Sequence, residues 1–409
     1  MPRLLFLAHR IPFPPDKGEK IRAFHILSHL AKHFEVDCGC LVDDPADEAH
    51  IATLRAQVAH LEAVRVRGQA LAALRHLRPG RPLTWGWFRD ARLAAWVARG
   101  LTGGRYDAVF VYSSAMAPYV MAWPRHPHGQ RRVLDLVDVD SEKFAAYAAT
   151  GRFPMRLIHK REARTLLSLE RKAAALFDHA LFVSQAEADR FLSLAPEAAP
   201  HVGFLENGVD FSRFDPAVER PDPLPGGGLK EGGPKIVFTG AMGYAPNIEA
   251  VTWFARVMLP MVQARHPAAR FVVVGQNPAP QVRALESLPG VVVTGTVPDV
   301  RPYLAHATVA VAPLQLARGI QNKVLEAMAM ARPVVATPQA FEGIHATPGR
   351  DLLVADGPKR FAEAVAAVLD GEHPALGQAA RAAVLAGHDW NATLAPLDAM
   401  LLHGAPARH

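Results

Sequence analysis

ATVAVAPLQLARGIQNKVLEAMAMARPVVAT, Ala307 to Thr337, passes from an apolar run through a short loop and a helix-spaced stretch into a second apolar run. ATVAVAP reads as a buried strand, QNKVLEAMAM as a helix and PVVAT as the next strand, the repeating unit of a parallel α/β sheet. LQLARGI is then the loop from strand end to helix start, at the edge where open α/β sheets take their ligands. One acid, Glu326, stands in the otherwise apolar VLEAMAMA. Carboxylates are rarely buried without a partner, because stripping water from the charge is costly. What Glu326 faces is therefore a question about function.

The same alternation continues outward. Strands are expected at KIVFTG, RFVVVG, GVVVTG, ATVAVAP, PVVAT and DLLVA after Gly233, and before it at LLFLAH, FEVDCGCLV, DAVFVY, RVLDLVD and HALFVS. Helix-length segments separate them, so the expected fold class is α/β with two doubly wound, Rossmann-like domains. The expected boundaries are 1–210 for the first domain, 211–234 for a linker and 235–388 for the second, with a helical segment at 389–409 packing back on the first. Pro216 to Pro234 holds five Pro and five Gly in nineteen residues, a linker composition. Two such domains facing one another would enclose a cleft that the linker lets open and close.

Composition removes several classes. At 409 residues and 50% hydrophobic, the chain is long enough for two or three domains with real cores. No run approaches the roughly 18 to 20 apolar residues of a membrane span. The amino-terminal LLFLA is too short for a signal peptide and reads as a first strand. Cys38 and Cys40, the only cysteines, fall on one face of a strand and read as buried thiols. These features predict a cytoplasmic protein. The net charge of +6 is uneven: Ile51 to Arg105 holds ten Arg against Glu62 and Asp90, interleaved with Trp85, Trp87, Phe88 and Trp96. That pattern suits an anionic membrane surface, or else solvated helices with tryptophans in the core. Nucleic acid is not expected, since no recognised module accompanies the charge.

The loop before Glu326 suits an anion. Gly319 permits close backbone approach, Ile320 follows it, and the free N–H groups opening the helix attract phosphate. Lys323 and Glu326, three apart, share a helix face, with Arg318 upstream. Cations and N–H groups suit a diphosphate, and a carboxylate suits the paired hydroxyls of a ribose. A nucleotide diphosphate satisfies all of them, whereas the bland alternative is a Lys–Glu pair neutralising itself at a helix end.

K-x-L-E-A-M-A-x-x-x-P-V-V-A, Lys323 to Ala336, resembles the donor-site signature of retaining glycosyltransferases of family 4, which have the GT-B fold. ENGVDFSRFDP, LFVSQAEADRF and TGTVPDVRPYLAHATVAVAP resemble that family's crossover segment, the strand and helix preceding it, and its base-binding loop. HRIPFPPDKGEKIRAFHIL, LDLVDVDSEKF and ARGIQNKVLEAMAM are similar to sugar transferases associated with bacterial exopolysaccharide and PEP-CTERM/exosortase loci. The resemblance implies that Glu326 holds the ribose hydroxyls and Lys323 lies near the diphosphate. Gly295, Thr296 and Val297 would line the base pocket, Gly240 would start the first donor loop, and Asn247 would open the next helix. Gly18 would bring a first-domain loop close to donor phosphates or sugar. Two departures stand out. A Glu common eight positions before the ribose Glu is here Arg318, and G-A-M-G-Y-A-P-N lacks the usual Arg or Lys. Arg318 supplying that missing cation links them.

The resemblance implies a metal-independent, retaining transfer with no cofactor beyond the nucleotide-diphosphate sugar, to a glycan or lipid-linked glycan acceptor. In the first domain Asp138 and Asp140 stand at a strand end, as orienting carboxylates or as turn and cap residues, with Ser141 as the expected N-cap. Lys20 and Arg22 are candidates for phosphate or for solvated helix charges, and His9 ends the first strand. Alternatives are a GT-B sugar-nucleotide epimerase and a non-catalytic nucleotide-sugar binding protein. A nicotinamide oxidoreductase needs G-x-G-x-x-G after a strand, and LLFLAHRIPFPP lacks it.

Overall fold

The computed structural model describes residues 1–15, 18–66, 68–69, 73, 79–125, 129–224, 233–317 and 319–402. The chain divides into two compact units, one of residues 1–206 with 393–409 and one of 207–392.

The first unit is built on a seven-stranded sheet in the order β3-β2-β1-β4-β5-β6-β7. The strands are β1 (Arg3–Ala8), β2 (Glu35–Val42), β3 (His60–Arg65), β4 (Ala108–Tyr112), β5 (Arg131–Val137), β6 (His179–Phe182) and β7 (Val202–Phe204), and every pairing is parallel. Because both faces carry helices, β1 and β4 are buried almost throughout, LLFLA and AVFVY reading as continuous apolar runs. Cys38 and Cys40 are buried free thiols on β2. The closing helix Pro396–Leu402 belongs to this unit: Asp398 Oδ1 lies 3.0 Å from His29 Nε2, and Leu397 and Leu401 are buried.

The second unit has six parallel strands in the order β10-β9-β8-β11-β12-β13. They are β8 (Lys235–Thr239), β9 (Arg270–Val274), β10 (Val291–Gly295), β11 (Val309–Ala312), β12 (Val334–Ala336) and β13 (Leu353–Val354). In each unit the order reverses between the first and fourth strands, β1/β4 and β8/β11. The crevice outside their carboxyl ends is the binding position of a doubly wound sheet. Val237, Phe238, Val273, Val311, Leu325, Met328 and Val335 belong to its apolar core.

Two strands were not expected from sequence. β3 lies inside the arginine-rich region with only Leu61 and Val64 buried, and β7 is a three-residue edge strand. The aromatic residues of that region do not form one surface. Trp96 is in the core, Phe88 packs edge-on to His9 with ring centroids 5.2 Å apart, and Arg81 lies 4.5 Å over the Trp85 ring. Arg105 pairs with Asp37 at 3.1 Å and Arg65 with Glu48 at 3.1 Å, while Arg67, Arg75 and Arg78 lie outside the described residues.

Candidate functional site

The second unit gathers its polar side chains at the β8/β11 end. β8 ends at Thr239, and Gly240 and Gly275 come together there: a Cβ on Gly275 would fall 1.6 Å from the Gly240 carbonyl oxygen. A Cβ on Gly240 would in turn meet the Asn247 amide at 2.8 Å and Lys323 Nζ at 3.5 Å. Two bare backbones are thus required for the next helix, Ala245–Trp253, to present Asn247 inward. Asn247 Nδ2 donates to the Ala241 carbonyl at 3.0 Å, which leaves its Oδ1 to accept from Lys323 Nζ at 2.6 Å.

Lys323 and Glu326 project from the helix Asn322–Ala329, whose apolar face is buried through Val324, Leu325, Ala327, Met328 and Ala329. Lys323 Nζ also lies 4.5 Å from the Phe238 ring centroid. Burial lowers its pKa to about 7, with Glu326 opposing the shift. Among the described residues no hydrogen bond or ion pair reaches the half-buried Glu326 carboxylate. Burial raises its pKa to about 7 against the fields of Arg213 and Lys323. The pair therefore does not simply neutralise itself at a helix end. Its lysine is held by an amide and its glutamate is left open.

The other residues singled out in this unit have distinct places. Gly319 has φ +62°, a left-handed conformation that suits glycine, and its carbonyl accepts from Gln321 Nε2 at 3.0 Å. The Ile320 side chain is core, which corrects any reading of it as a ligand-facing group and leaves its backbone. Gly295 (φ +70°) ends edge strand β10, followed by exposed Thr296 and half-buried Val297. Arg318 lies outside the described residues. Arg213, whose field acts on Glu326, was not singled out from sequence. Its position within ENGVDFSRFDP was the available signal, and Asn207 of the same segment donates to Asn322 Oδ1 at 3.1 Å, tying it to the start of the Lys323 helix.

In the first unit the carboxyl ends of β4 and β5 carry strained residues beside two acids. Val137, a β-branched residue, has φ +68°, and Ser113 at the end of β4 has φ +80°. Such outliers concentrate where structure serves a site. Asp138 and Asp140 stand half-buried in the turn after Val137, and neither carboxylate meets a hydrogen bond or ion pair among the described residues. Burial raises the Asp138 pKa to about 7, with Glu187 and Asp140 adding to the shift. Burial also raises Asp140, opposed by Lys143. His9, stacked on Tyr112 with centroids 5.8 Å apart, is pushed down to about 4 by burial and is neutral at pH 7. Gly18 opens the helix Gly18–Leu30 and is exposed, while its neighbours Asp16 and Lys17 lie outside the described residues.

Two readings are corrected here. Lys20 and Arg22 are neither solvated nor free for phosphate: Lys20 pairs with Asp47 at 2.7 Å and Arg22 grips Asp135 at 2.8 and 3.1 Å, all four buried. Ser141 does not cap its helix, which begins at Asp140. Its amide and hydroxyl both donate to Glu170, at 3.1 and 2.6 Å. Among the described residues one trio has the spacing of metal ligands, His29, His33 and Asp398, and there His29 and Asp398 lie at hydrogen-bonding distance.

Residues 233–371 match the family described as Glycosyl transferases group 1. No curated protein matches the chain significantly. Among solved structures, sucrose-phosphate synthase from Thermosynechococcus elongatus is 16% identical over 98% of each chain with a TM-score of 0.68. HepE from Anabaena, in complex with UDP and glucose, is 15% identical over 98% of this chain and 100% of its own, TM-score 0.67. WaaG, a glycosyltransferase involved in lipopolysaccharide biosynthesis, is 17% identical over 98% and 100%, TM-score 0.65. The chain has the GT-B fold, and its second unit carries a glycosyltransferase domain.

Proposed function

We propose that the chain transfers a sugar from a nucleotide-diphosphate sugar to a glycan acceptor, with retention and without a metal. The observation that carries the reading is the pair of Lys323 and Glu326 beside the β8/β11 crevice of a glycosyltransferase domain, the cation oriented by Asn247 and the carboxylate open. In this reading Glu326 accepts the two ribose hydroxyls. Lys323, the Gly319–Gln321 backbone and the amides opening Asn322–Ala329 take the diphosphate, with Arg318 as a second cation. Fixed donors of this kind stabilise the charge that gathers on a departing diphosphate. Gly295, Thr296 and Val297 border the base, and Gly240 gives the phosphates access to the backbone. UDP is the first base to try, since HepE was solved with UDP and with UDP-glucose.

Asp138 and Asp140 bind hydroxyls of the acceptor or the transferred sugar, and Gly18 leaves room for that sugar. The acceptor is a lipid-linked glycan of exopolysaccharide assembly, handled by a protein peripheral to the inner face of the cytoplasmic membrane. The sequence similarity at LDLVDVDSEKF and the lipopolysaccharide role of WaaG support this part.

The test is thermal stabilisation by UDP, GDP, ADP and their sugars, run beside Glu326→Ala. A ligand at 100 times its dissociation constant adds roughly 2.7 kcal/mol. A response to one nucleotide that disappears in the variant is expected. Stabilisation undiminished in the variant would overturn the assignment of Glu326.

A further inference from the structure

The helices Asp140–Thr150 and Met155–Leu176, joined by only four residues, fold back on one another as a hairpin of the first unit. Its base is fastened by Ser141 on Glu170, and nearer the turn Glu162 accepts the amides of Leu83 and Thr84 at 2.6 and 2.8 Å. Toward the turn, Tyr147 packs against His159 with centroids 5.7 Å apart. Gly151 makes the turn possible, since a Cβ there would lie 2.6 Å from the Tyr147 carbonyl oxygen. The hairpin is thus held by contacts along its length, and its exposed tip has the wrong composition for water. Residues 152–158, RFPMRLI, are all exposed, with Phe153 at 81%, Leu157 at 58%, Met155 at 47% and Ile158 at 39%.

Isolated exposed apolar residues need no explanation, but four large ones on one turn and the segment before it do. They are ringed by charge of one sign. Between Gly151 and Arg164 stand Arg152, Arg156, Lys160, Arg161 and Arg164 against one acid, and that acid is the buried Glu162. Arg161 Nη2 reaches the Arg81 carbonyl at 2.8 Å, which joins this cationic flank to the segment bearing Arg81 and the exposed Trp87. Exposed apolar side chains interleaved and flanked with cations suit the interface of a bilayer, where hydrocarbon lies beneath anionic headgroups that long Arg and Lys side chains can reach.

We propose that the hairpin tip, Arg152 to Ile158, inserts into an anionic phospholipid surface, with Phe153, Met155, Leu157 and Ile158 entering the acyl boundary and the surrounding Arg and Lys holding headgroup phosphates. Asp140, the first residue of the hairpin, carries one of the two open carboxylates, so the element that touches lipid is continuous with the candidate acceptor site. The proposal rests on the hairpin alone and needs no donor nucleotide. Failure to bind nucleotide and failure to bind lipid are separate results.

The full chain is sedimented with sucrose-loaded vesicles of phosphatidylglycerol and phosphatidylcholine, and with phosphatidylcholine alone. Partitioning at least tenfold stronger onto the anionic vesicles, weakened by 0.5 M salt, is expected. Phe153→Ser, Leu157→Ser and Ile158→Ser in one chain, and separately Arg152→Ser with Arg156→Ser and Lys160→Ser, should each reduce it at least tenfold. All six positions are exposed, so thermal midpoints should not move. Phe153→Cys labelled with an environment-sensitive dye should shift to the blue on anionic vesicles, the two native thiols being buried. Absence of wild-type partitioning, or partitioning unaltered in both triple variants, overturns the proposal. So does a wild-type dimer that the apolar triple variant makes monomeric without any lipid binding, which would assign the tip to a second copy of the chain.

Discussion

Lys323 Nζ donates to Asn247 Oδ1 at 2.6 Å across two helices of the second unit, so the cation of the candidate donor site is aimed by an amide and keeps its charge for another anion. A carboxylate at position 247 would have consumed that charge. Asn247→Ala is therefore expected to weaken nucleoside diphosphate binding about five- to tenfold, the value of one hydrogen bond of roughly 1 to 1.5 kcal/mol. Calorimetric titration checks it, and unchanged affinity would show that Lys323 needs no anchor.

Nucleotide binding should be bell-shaped in pH. Lys323, with its pKa lowered to about 7, loses the proton that phosphate requires as pH rises above that value. Glu326, raised to about 7, gains the proton that spoils it as a hydroxyl acceptor as pH falls below. Affinity is expected to peak near pH 7 and to fall by up to about tenfold per unit on either side. Lys323→Met should abolish the alkaline fall and Glu326→Gln the acid one. A flat profile for the wild type would refute both assignments.

Glu326 should also show a stability cost. Its folded pKa lies above its unfolded value, so the native state holds a proton that the unfolded chain has lost between about 4.5 and 7. Stability is full at low pH and declines as pH rises through that window. Above pH 7 Glu326→Gln should be more stable than wild type by about 1 kcal/mol, a figure discounted for the partial exposure of the group. Denaturant melts at pH 5 and 8 provide the measurement, and a variant less stable than wild type at pH 8 would contradict it.

Much of this architecture is visible in the sequence because each central strand is an apolar run closed by a small or turn residue, as in KIVFTG and RFVVVG. β3 escapes that reading because HLEAVR buries only two residues among arginines, and β7 because three residues show no period. The apolar pattern also locates Glu326, the one acid in the run VLEAMAMA. It cannot locate partners remote in sequence: Arg22 meets Asp135 across 113 residues and Lys20 meets Asp47 across 27, so both looked like solvent-facing helix charges. Glu162 and Glu170 are hidden for the same reason, each binding a backbone amide of a distant segment. The exposed tip at 152–158 is equally illegible, since a helix wheel does not say where a helix outgrows its core.

The close approach of Gly240 and Gly275 makes a simple packing prediction. A methyl group at 275 would overlap the Gly240 carbonyl oxygen at 1.6 Å, a clash with backbone that no rotamer relieves. Gly275→Ala should destabilise the second unit by about 2 to 4 kcal/mol and displace the turn at Gly240 that leads into the helix carrying Asn247. Gly349→Ala, at a position with open space around it but φ +83°, serves as a control for left-handed strain alone and should cost no more than about 1 to 2 kcal/mol. Equal losses in urea unfolding would show that the contact at 275 relaxes freely.

Asp138 and Asp140 can be distinguished from ordinary turn residues by the direction of their response. A turn or capping aspartate stabilises its loop through its carboxylate, so replacing it by Asn costs stability or leaves it unchanged. Asp138 instead has a folded pKa raised to about 7 by burial and by the neighbouring acids Glu187 and Asp140. Its contribution is present at low pH and is lost as pH rises from about 4 to 7. Asp138→Asn should accordingly raise the melting temperature at pH 8, by an amount that vanishes near pH 4, and should lower transfer by at least tenfold with nucleotide affinity unchanged. The strained Val137 that presents Asp138 remains in that variant, so the comparison isolates the carboxylate. Lower stability at pH 8 together with full transfer activity would return Asp138 to a structural role.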